Sequence, residues 1–167
     1  MKRILTLTLA LAIALLAGCS SQQAPERTPE ELTQLYADAI TEHGGEMVEY
    51  NPVISEVKED DMSGLILESL GLSQEDMTAF GISMSMMNVQ AYGIAAVMPA
   101  DGKTDVVTQA LQGFIDQQKA NFETYLADQY EVASAARLET PEDGTVLMVM
   151  CQDQDTVFDA IRSALES

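Results

Sequence analysis

The N-terminal segment limits which residues of this chain are available to form a folded domain. Lys2 and Arg3 precede a run from residue 4 to residue 17 that is apolar except for two threonines. Charged, apolar and small-residue parts in this order predict a secretory signal peptide over residues 1–18. The apolar run is shorter than the roughly 20 residues that span a bilayer. We therefore expect the fold to be built from the residues after this leader.

The end of the leader predicts a lipid anchor. Leu16-Ala17-Gly18-Cys19 resembles the lipobox of bacterial lipoproteins, in which the Cys thiol receives a diacylglyceryl group and becomes the first mature residue. Two acyl chains attach a protein stably to a membrane. The resemblance thus implies an extracytoplasmic protein held by Cys19 on the outer face of the cytoplasmic membrane. The alternatives are an ordinary signal peptide with an incidental cysteine and a transmembrane helix. Residues 19–29, which are polar and contain two prolines, predict a flexible tether.

The charge of the chain excludes some partners. Residues 1–18 hold two of the eight basic residues and none of the 27 acidic ones, so the rest of the chain carries a formal charge of −21. Nucleic acids bind through Lys and Arg contacts to phosphates, which argues against such a partner. An acidic surface favours solubility and attracts cationic partners or divalent ions.

Length and cysteine usage predict one domain without a disulfide. Residues 30–167 suit a single domain that buries about two-thirds of its unfolded surface. If Cys19 carries lipid, Cys151 has no intramolecular partner. Cys151 ends an apolar run, where a free thiol behaves as a small hydrophobic residue, so we expect it to have a packing role.

The spacing of apolar residues predicts an α+β domain. A long amphipathic helix at 104–126, capped by Thr104, is the clearest element. We expect a mostly antiparallel sheet packed against this helix, a C-terminal helix and N-terminal helices. The other predicted elements are helices at 28–43, 62–70 and 128–136, a short strand at 47–50, a short turn at 73–80, a strand at 88–98, a hairpin of 137–140 with 145–151, and a last helix that Asp153 or Asp155 caps.

The second half of the chain resembles a known family. The motifs are Tyr92-Gly-Ile-Ala-Ala-Val, Asp101-Gly-Lys103, Gln117-Gln118-Lys119 with Phe122-Glu123-x-Tyr125-Leu126, Asp128-Gln129-Tyr130-Glu131 and Gly144-Thr-Val-Leu-Met-Val. Together they resemble an uncharacterised lipoprotein family, mostly of Gram-positive anaerobes, that is defined by a domain of unknown function. The resemblance covers about residues 88–166. It implies a fold, a lipid anchor and a Gram-positive envelope, but no reaction and no functional residue.

One cluster of side chains predicts a recognition surface. Tyr125, Asp128, Gln129 and Tyr130 follow the long helix, where polar and aromatic residues meet at a turn. Exposed tyrosines are favoured at protein interfaces. Inward packing of both tyrosines is the alternative, and we favour it.

Two patterns suit metal ions, although each has a simpler explanation. Thioether and thiolate sulfurs suit Cu(I), and methionines also fill cores. Short acidic loops supply oxygens for Ca²⁺, and acidic residues also form turns and helix caps. The sulfur set comprises Met84, Met86, Met148, Met150 and Cys151, and the loops are residues 101–105 and 153–155.

The sequence favours a binding protein over an enzyme. It contains one histidine, His43, and no nucleophile, zinc, phosphate-loop or dinucleotide motif. His43 ends a predicted helix, where its charge suits the helix dipole. We predict a non-enzymatic lipoprotein without a cofactor, which binds the membrane through Cys19 and an envelope protein or small ligand through its domain. A copper- or calcium-binding lipoprotein is the second hypothesis, and an enzyme is the third.

Overall fold

A computed structural model describes residues 27–58 and 62–167. The leader, Cys19 and most of the predicted tether lie outside these residues. No helix in the described part is long and apolar enough to cross a membrane. The elements, in chain order, are α1 (Pro29–His43), α2 (Met47–Tyr50), α3 (Ser63–Leu70), a 3₁₀ turn (Gln74–Asp76), β1 (Met77–Met84), β2 (Gly93–Pro99), α4 (Thr104–Phe122), α5 (Ala127–Ser134), β3 (Arg137–Glu139), β4 (Val146–Met150) and α6 (Gln154–Leu165).

Four strands form one antiparallel sheet in the order β1-β2-β4-β3. The two central strands, β2 and β4, are buried on both faces apart from the last two residues of β2. Their neighbouring residues point to opposite faces, as the period of a strand requires. This fold confirms the predicted α+β class with its mostly antiparallel sheet.

Helices cover both faces of the sheet. On one face, α3, α4 and α5 pack against strand residues such as Phe80, Val97 and Met148. On the other face, α1 and α6 pack against residues such as Ala79, Ile94 and Val149. The predicted long helix, C-terminal helix and N-terminal helices are therefore present, and they are divided between two layers.

Helices α1 and α6 lie side by side and run in opposite directions. A capping box starts α1, because the Thr28 hydroxyl accepts from the Glu31 backbone and the Glu31 carboxylate accepts from the Thr28 backbone. At this end the Arg27 guanidinium donates to the Leu165 and Ser167 carbonyls at the end of the chain, at 3.4 and 2.9 Å. The end of α1 and the start of α6 thus lie together at the opposite end of the domain.

The predicted strand at 47–50 is wrong, because these residues form the one-turn helix α2. Its backbone bonds are local, from Val48 to Gly45 and from Asn51 to Met47. A strand at 47–50 would have to pair with the free edge of β1. Ile54 forms a bridge to Ile82 on that strand instead. Only Val48 of this helix is buried, whereas Tyr50 is 77% exposed.

Other predicted boundaries also need correction. Strand β1 replaces the second half of the turn predicted at 73–80, and β2 begins at Gly93 rather than near residue 88. Helix α4 ends at Phe122, so the predicted helical residues 123–126 lie outside it. They form a turn in which the Phe122 carbonyl accepts from the backbones of Tyr125 and Leu126. Thr104 is the first helical residue instead of the cap, which is Lys103. Asp153 holds the cap position of α6 without a side-chain bond.

Candidate functional site

A groove of about 780 Å³ lies at the end of the domain where α1 stops and α6 begins. Four separate segments of the chain build it: the corner between α1 and α2, the end of the β1–β2 loop, the first turns of α5, and the turn from β4 into α6. The lining residues are Gly44, Gly45, Glu46, Met47, Tyr50, Gln90, Ala91, Tyr92, Asp128, Gln129, Val132, Cys151, Gln152, Asp153, Thr156 and Val157.

The corner between α1 and α2 is held by close packing. A Cβ atom on Gly44 would lie 2.5 Å from both the Ile40 carbonyl oxygen and a Val48 methyl group, so only glycine fits there. Gly45 follows with a φ of +79°, a value that glycine adopts without strain. The two glycines that end α1 therefore also set the direction in which α2 leaves.

The β1–β2 loop forms a second wall and is held by side chains from both sides. The Ala91 backbone donates to the Gln129 amide oxygen on α5 at 2.9 Å. The Tyr125 hydroxyl donates to the Asn88 carbonyl at 2.7 Å. On the other side, the Gln90 amide donates to the Met47 sulfur on α2 at 3.1 Å. The loop thus bridges α2 and the start of α5.

Tyr92 lies at the floor of the groove, and its hydroxyl belongs to a buried chain of hydrogen bonds. The Ser83 hydroxyl donates to the Asn51 carbonyl at 2.6 Å and must therefore accept from the Tyr92 hydroxyl at 2.9 Å. Burial raises the pKa of Tyr92 to about 12. Tyr92 is thus a neutral group that joins the sheet to the end of α2, and it supplies no base at neutral pH.

Cys151 is the thiol at this site, and it is 5% exposed. Burial is the main cause that raises its pKa to about 11, and the charge of Asp153 adds to the effect. A thiol must ionise to act as a nucleophile or a strong metal ligand. Cys151 stays protonated at neutral pH, which agrees with the predicted packing role.

The rim of the groove is acidic. Among the described residues that line it, Glu46, Asp128 and Asp153 are acidic and none is basic. The Gln129 amide donates to the Asp128 carboxylate at 3.0 Å, and this bond is the main cause that lowers the pKa of Asp128. Asp128 is therefore ionised at neutral pH, and the groove offers a negative potential to a ligand.

The structure divides the predicted recognition surface. Asp128 and Gln129 line the groove. Tyr125 is 57% exposed and contacts the β1–β2 loop, whereas Tyr130 packs against the core beside α4. Our preferred interpretation, that both tyrosines pack inward, is right for Tyr130 and wrong for Tyr125.

The structure divides the sulfur set of the copper hypothesis between the two faces of the sheet and an exposed loop position. Met84, Met148 and Met150 are buried on the face that α4 covers, while Cys151 belongs to the opposite face and Met86 is exposed. Within residues 27–58 and 62–167, no three His, Cys, Asp or Glu side chains are grouped so that they could hold a metal ion. His43 lies in the last turn of α1, where the sequence predicted it.

Comparison with known proteins identifies the central part of the chain. A family model for a domain of unknown function, DUF4358, matches residues 54–151, which is more than half of the chain. The chain belongs to the DUF4358 family. Neither the curated proteins nor the solved structures contain a match. The family match supports the predicted relation to an uncharacterised family defined by its domain.

The DUF4358 match covers only part of the groove. It includes the whole sheet, the β1–β2 loop, α5 and Cys151, whereas α1, α2 and α6 lie outside the matched residues. The groove is therefore formed where the DUF4358 segment meets the helices that flank it in sequence.

Most groove residues were not found from the sequence. Gln90, Tyr92 and Thr156 are far apart in the chain, and no local pattern links them. The paired glycines at the end of α1 were a further available signal, but they predict only the end of a helix.

Proposed function

We propose that this chain is an exported lipoprotein whose DUF4358 domain binds another component of the cell envelope in the groove, without catalysing a reaction. The lipid anchor is Cys19, and the domain stands on the outer face of the cytoplasmic membrane. The observation that carries the binding role is the groove itself, which is built from four segments, and hydrogen bonds join its β1–β2 loop wall to α2 and to α5.

The chemistry of the groove supports binding rather than catalysis. Its thiol is protonated at neutral pH, and its buried phenol is committed to Ser83. Its carboxylates lie at the exposed rim. A catalytic site requires a nucleophile or base whose pKa suits its task, and the raised values of Cys151 and Tyr92 do not meet that requirement at neutral pH.

The anchoring part of the proposal is tested by Cys19→Ala in the native host. We expect the unaltered chain to sediment with membranes and to carry acyl mass on its N-terminal peptide. The Cys19→Ala chain should lose both properties, because no thiol remains to accept the lipid. Cleavage after residue 18 without any acyl mass in the unaltered chain would refute the lipid anchor and leave an ordinary signal peptide.

The binding part is tested by crosslinking in intact cells. A photoreactive amino acid replaces Gln152, which is exposed and lines the groove, or Gln117, which is exposed on α4 away from it. We expect one discrete adduct from position 152 and none from position 117. The same adducts from both positions, or none from position 152, would contradict a binding role for the groove.

A further inference from the structure

Exposed apolar side chains are concentrated around the groove. Eight large apolar residues of the described chain are exposed; four of them lie on two segments that build the groove, and a fifth is hydrogen-bonded to one of these segments. Single exposed apolar residues are normal on a protein surface, but a group beside a concave site marks an interaction surface. These five residues, which we call the apolar rim, are Tyr50, Met86, Met87, Val89 and Tyr125, and they are 77, 44, 64, 59 and 57% exposed.

The apolar rim is continuous with the groove through the β1–β2 loop. Met86, Met87 and Val89 lie in this loop, within the four residues that precede the groove residue Gln90. Tyr125 is hydrogen-bonded to the same loop at the Asn88 carbonyl. Tyr50 itself lines the groove on the side of α2. A ligand that fills the groove and extends over the loop would contact acidic and apolar groups at once.

We infer that the groove and the apolar rim together bind a cationic, amphipathic polypeptide segment of a partner protein. This inference rests on the proposed function and adds the chemical class of the partner. Lys or Arg side chains of the segment meet Glu46, Asp128 and Asp153 in the groove. Its apolar side chains cover Met86, Met87 and Val89. Methionine side chains adapt their shape to the surface they meet, which suits contact with a peptide.

Charge decides against a second copy of this chain as the occupant. The part after the leader carries a formal charge of −21, so two copies repel each other, whereas a cationic segment is attracted. The extent of the surface decides against a small organic cation. Such a cation would occupy the acidic groove and leave the apolar rim on the β1–β2 loop uncovered.

Binding is tested with defined probes and the purified, membrane-extracted full chain in detergent. The first probe is a synthetic peptide of alternating leucine and lysine. The second replaces its lysines by glutamate, the third replaces its leucines by serine, and the fourth is the polyamine spermidine. We expect only the first peptide to bind tightly, with an affinity that falls as salt concentration rises. Tighter binding of the third peptide or of spermidine would overturn the inference.

Matched variants locate the binding site. Asp128→Asn with Asp153→Asn removes two charges from the groove, and we expect the dissociation constant of the first peptide to rise about fivefold or more. Met87→Ser with Val89→Ser should cause a similar loss without any change of charge. The control is Glu30→Gln with Glu142→Gln, which removes two charges from exposed positions at the other end of the domain. It should change the constant less than about twofold.

An equal loss in the control and in the groove variant would overturn the inference, because binding would then follow the total charge alone. No binding of the first peptide would also overturn it. The crosslinking experiment at position 152 separates the two proposals. If that adduct forms while the peptide fails to bind, the groove binds a partner of another chemical class. If both fail, the binding role of the groove is wrong as well.

Discussion

Two buried phenols connect the sheet to its surroundings. The Tyr36 hydroxyl is 2.7 Å from the Thr145 hydroxyl, which itself donates to the Asp143 carboxylate at 2.7 Å. Tyr92 makes the corresponding link through Ser83 at the groove. Burial raises the pKa of both tyrosines to about 12, above the ordinary value of about 10. Both side chains are therefore neutral in the folded protein over a wider pH range than in the unfolded chain.

These phenols predict a loss of stability at alkaline pH. The unfolded chain releases the two protons near pH 10, whereas the folded chain retains them up to about pH 12. Their contribution is thus fully present below about pH 10 and is lost as pH rises towards 12. We expect the free energy of unfolding in urea to fall over this range, and tyrosinate absorbance from these two residues to appear together with unfolding.

Tyr92→Phe is the variant that checks this assignment. It removes one of the two phenols with a raised pKa, so the free energy of unfolding should fall less steeply at high pH. At neutral pH it should cost about 1 kcal/mol, because one buried hydrogen bond is lost. If the tyrosinate absorbance that appears only with unfolding is as large in Tyr92→Phe as in the unaltered chain, the raised pKa is wrongly assigned to Tyr92.

Asp76 predicts a second pH effect at the acidic end. Its carboxylate accepts from the Lys103 ammonium at 2.9 Å and from the Ser73 hydroxyl and backbone at 2.7 and 2.9 Å. These bonds lower the pKa of Asp76 from the ordinary 3.8 to about 2, and the bond from Lys103 has the largest effect. Their contribution to the free energy of unfolding is present above about pH 4 and is lost as pH falls towards 2.

Asp76→Asn tests this effect. We expect a lower melting temperature than that of the unaltered chain at neutral pH, because the charged partner of Lys103 is gone. The difference should shrink between about pH 4 and about pH 2, where Asp76 itself becomes protonated. A difference that stays constant over this range would show that Asp76 does not ionise differently in the folded state.

Among the elements, helices with one apolar face were predictable. Helix α4 buries Val107, Leu111 and Phe114 on one side, and this spacing is visible in the sequence. Strand β1 was not predictable in this way, because seven of its eight residues are buried and it therefore lacks the alternation of a half-exposed strand. The turn signal at Ser73–Asp76 is real, but it precedes the strand instead of replacing it.

The groove was less predictable than the elements that form it. The sequence indicated Asp128 and Gln129, because polar and aromatic residues meet at the turn after the long helix. It did not indicate that α2 and the β1–β2 loop meet there, because this meeting depends on the bond from Gln90 to Met47 and on the packing of Gly44. Contacts between distant segments leave no periodic pattern in a sequence.

The contact between α1 and the sheet makes a glycine of β1 essential. A Cβ atom on Gly81 would lie 3.0 Å from the Tyr36 carbonyl carbon and Cβ and 3.2 Å from the Ala37 nitrogen. The obstacle is mainly helix backbone, which a rotamer change cannot move. We expect Gly81→Ala to lower the free energy of unfolding in urea by about 1–3 kcal/mol, because α1 must shift away from the sheet.

Gly113→Ala is the matched control in α4. Nothing lies within 4 Å of a Cβ atom at this position, and the residue is exposed in the middle of a helix. Alanine should raise the free energy of unfolding by about 0.5–1 kcal/mol, since it has the higher helix propensity. If both substitutions change stability in the same direction, the close approach at Gly81 does not decide the effect.

At the scale of the whole molecule, the groove and Arg27, the first described residue, lie at opposite ends of the domain. Arg27 contacts the last residues of the chain beside the start of α1, whereas Gly44 and Gly45 at the other end of α1 line the groove. Helix α1 has 15 residues and is therefore about 22 Å long. A domain tethered through its N-terminus would hold the groove away from the membrane, where a partner can approach it.

Together with the proposed anchor at Cys19, this arrangement predicts which of two labelled positions lies closer to the lipid surface. Val89→Cys places a fluorophore on the β1–β2 loop, and Ser163→Cys places one on the exposed side of α6 near its end. The native Cys151 is buried and protonated, so it should not react with the label. In native membranes that contain a quencher on the lipid headgroups, the label at position 163 should be quenched more strongly than the label at position 89. Detergent extraction should remove the difference. Stronger quenching at position 89 would instead place the groove against the membrane, and a partner would then have to reach it along the lipid surface.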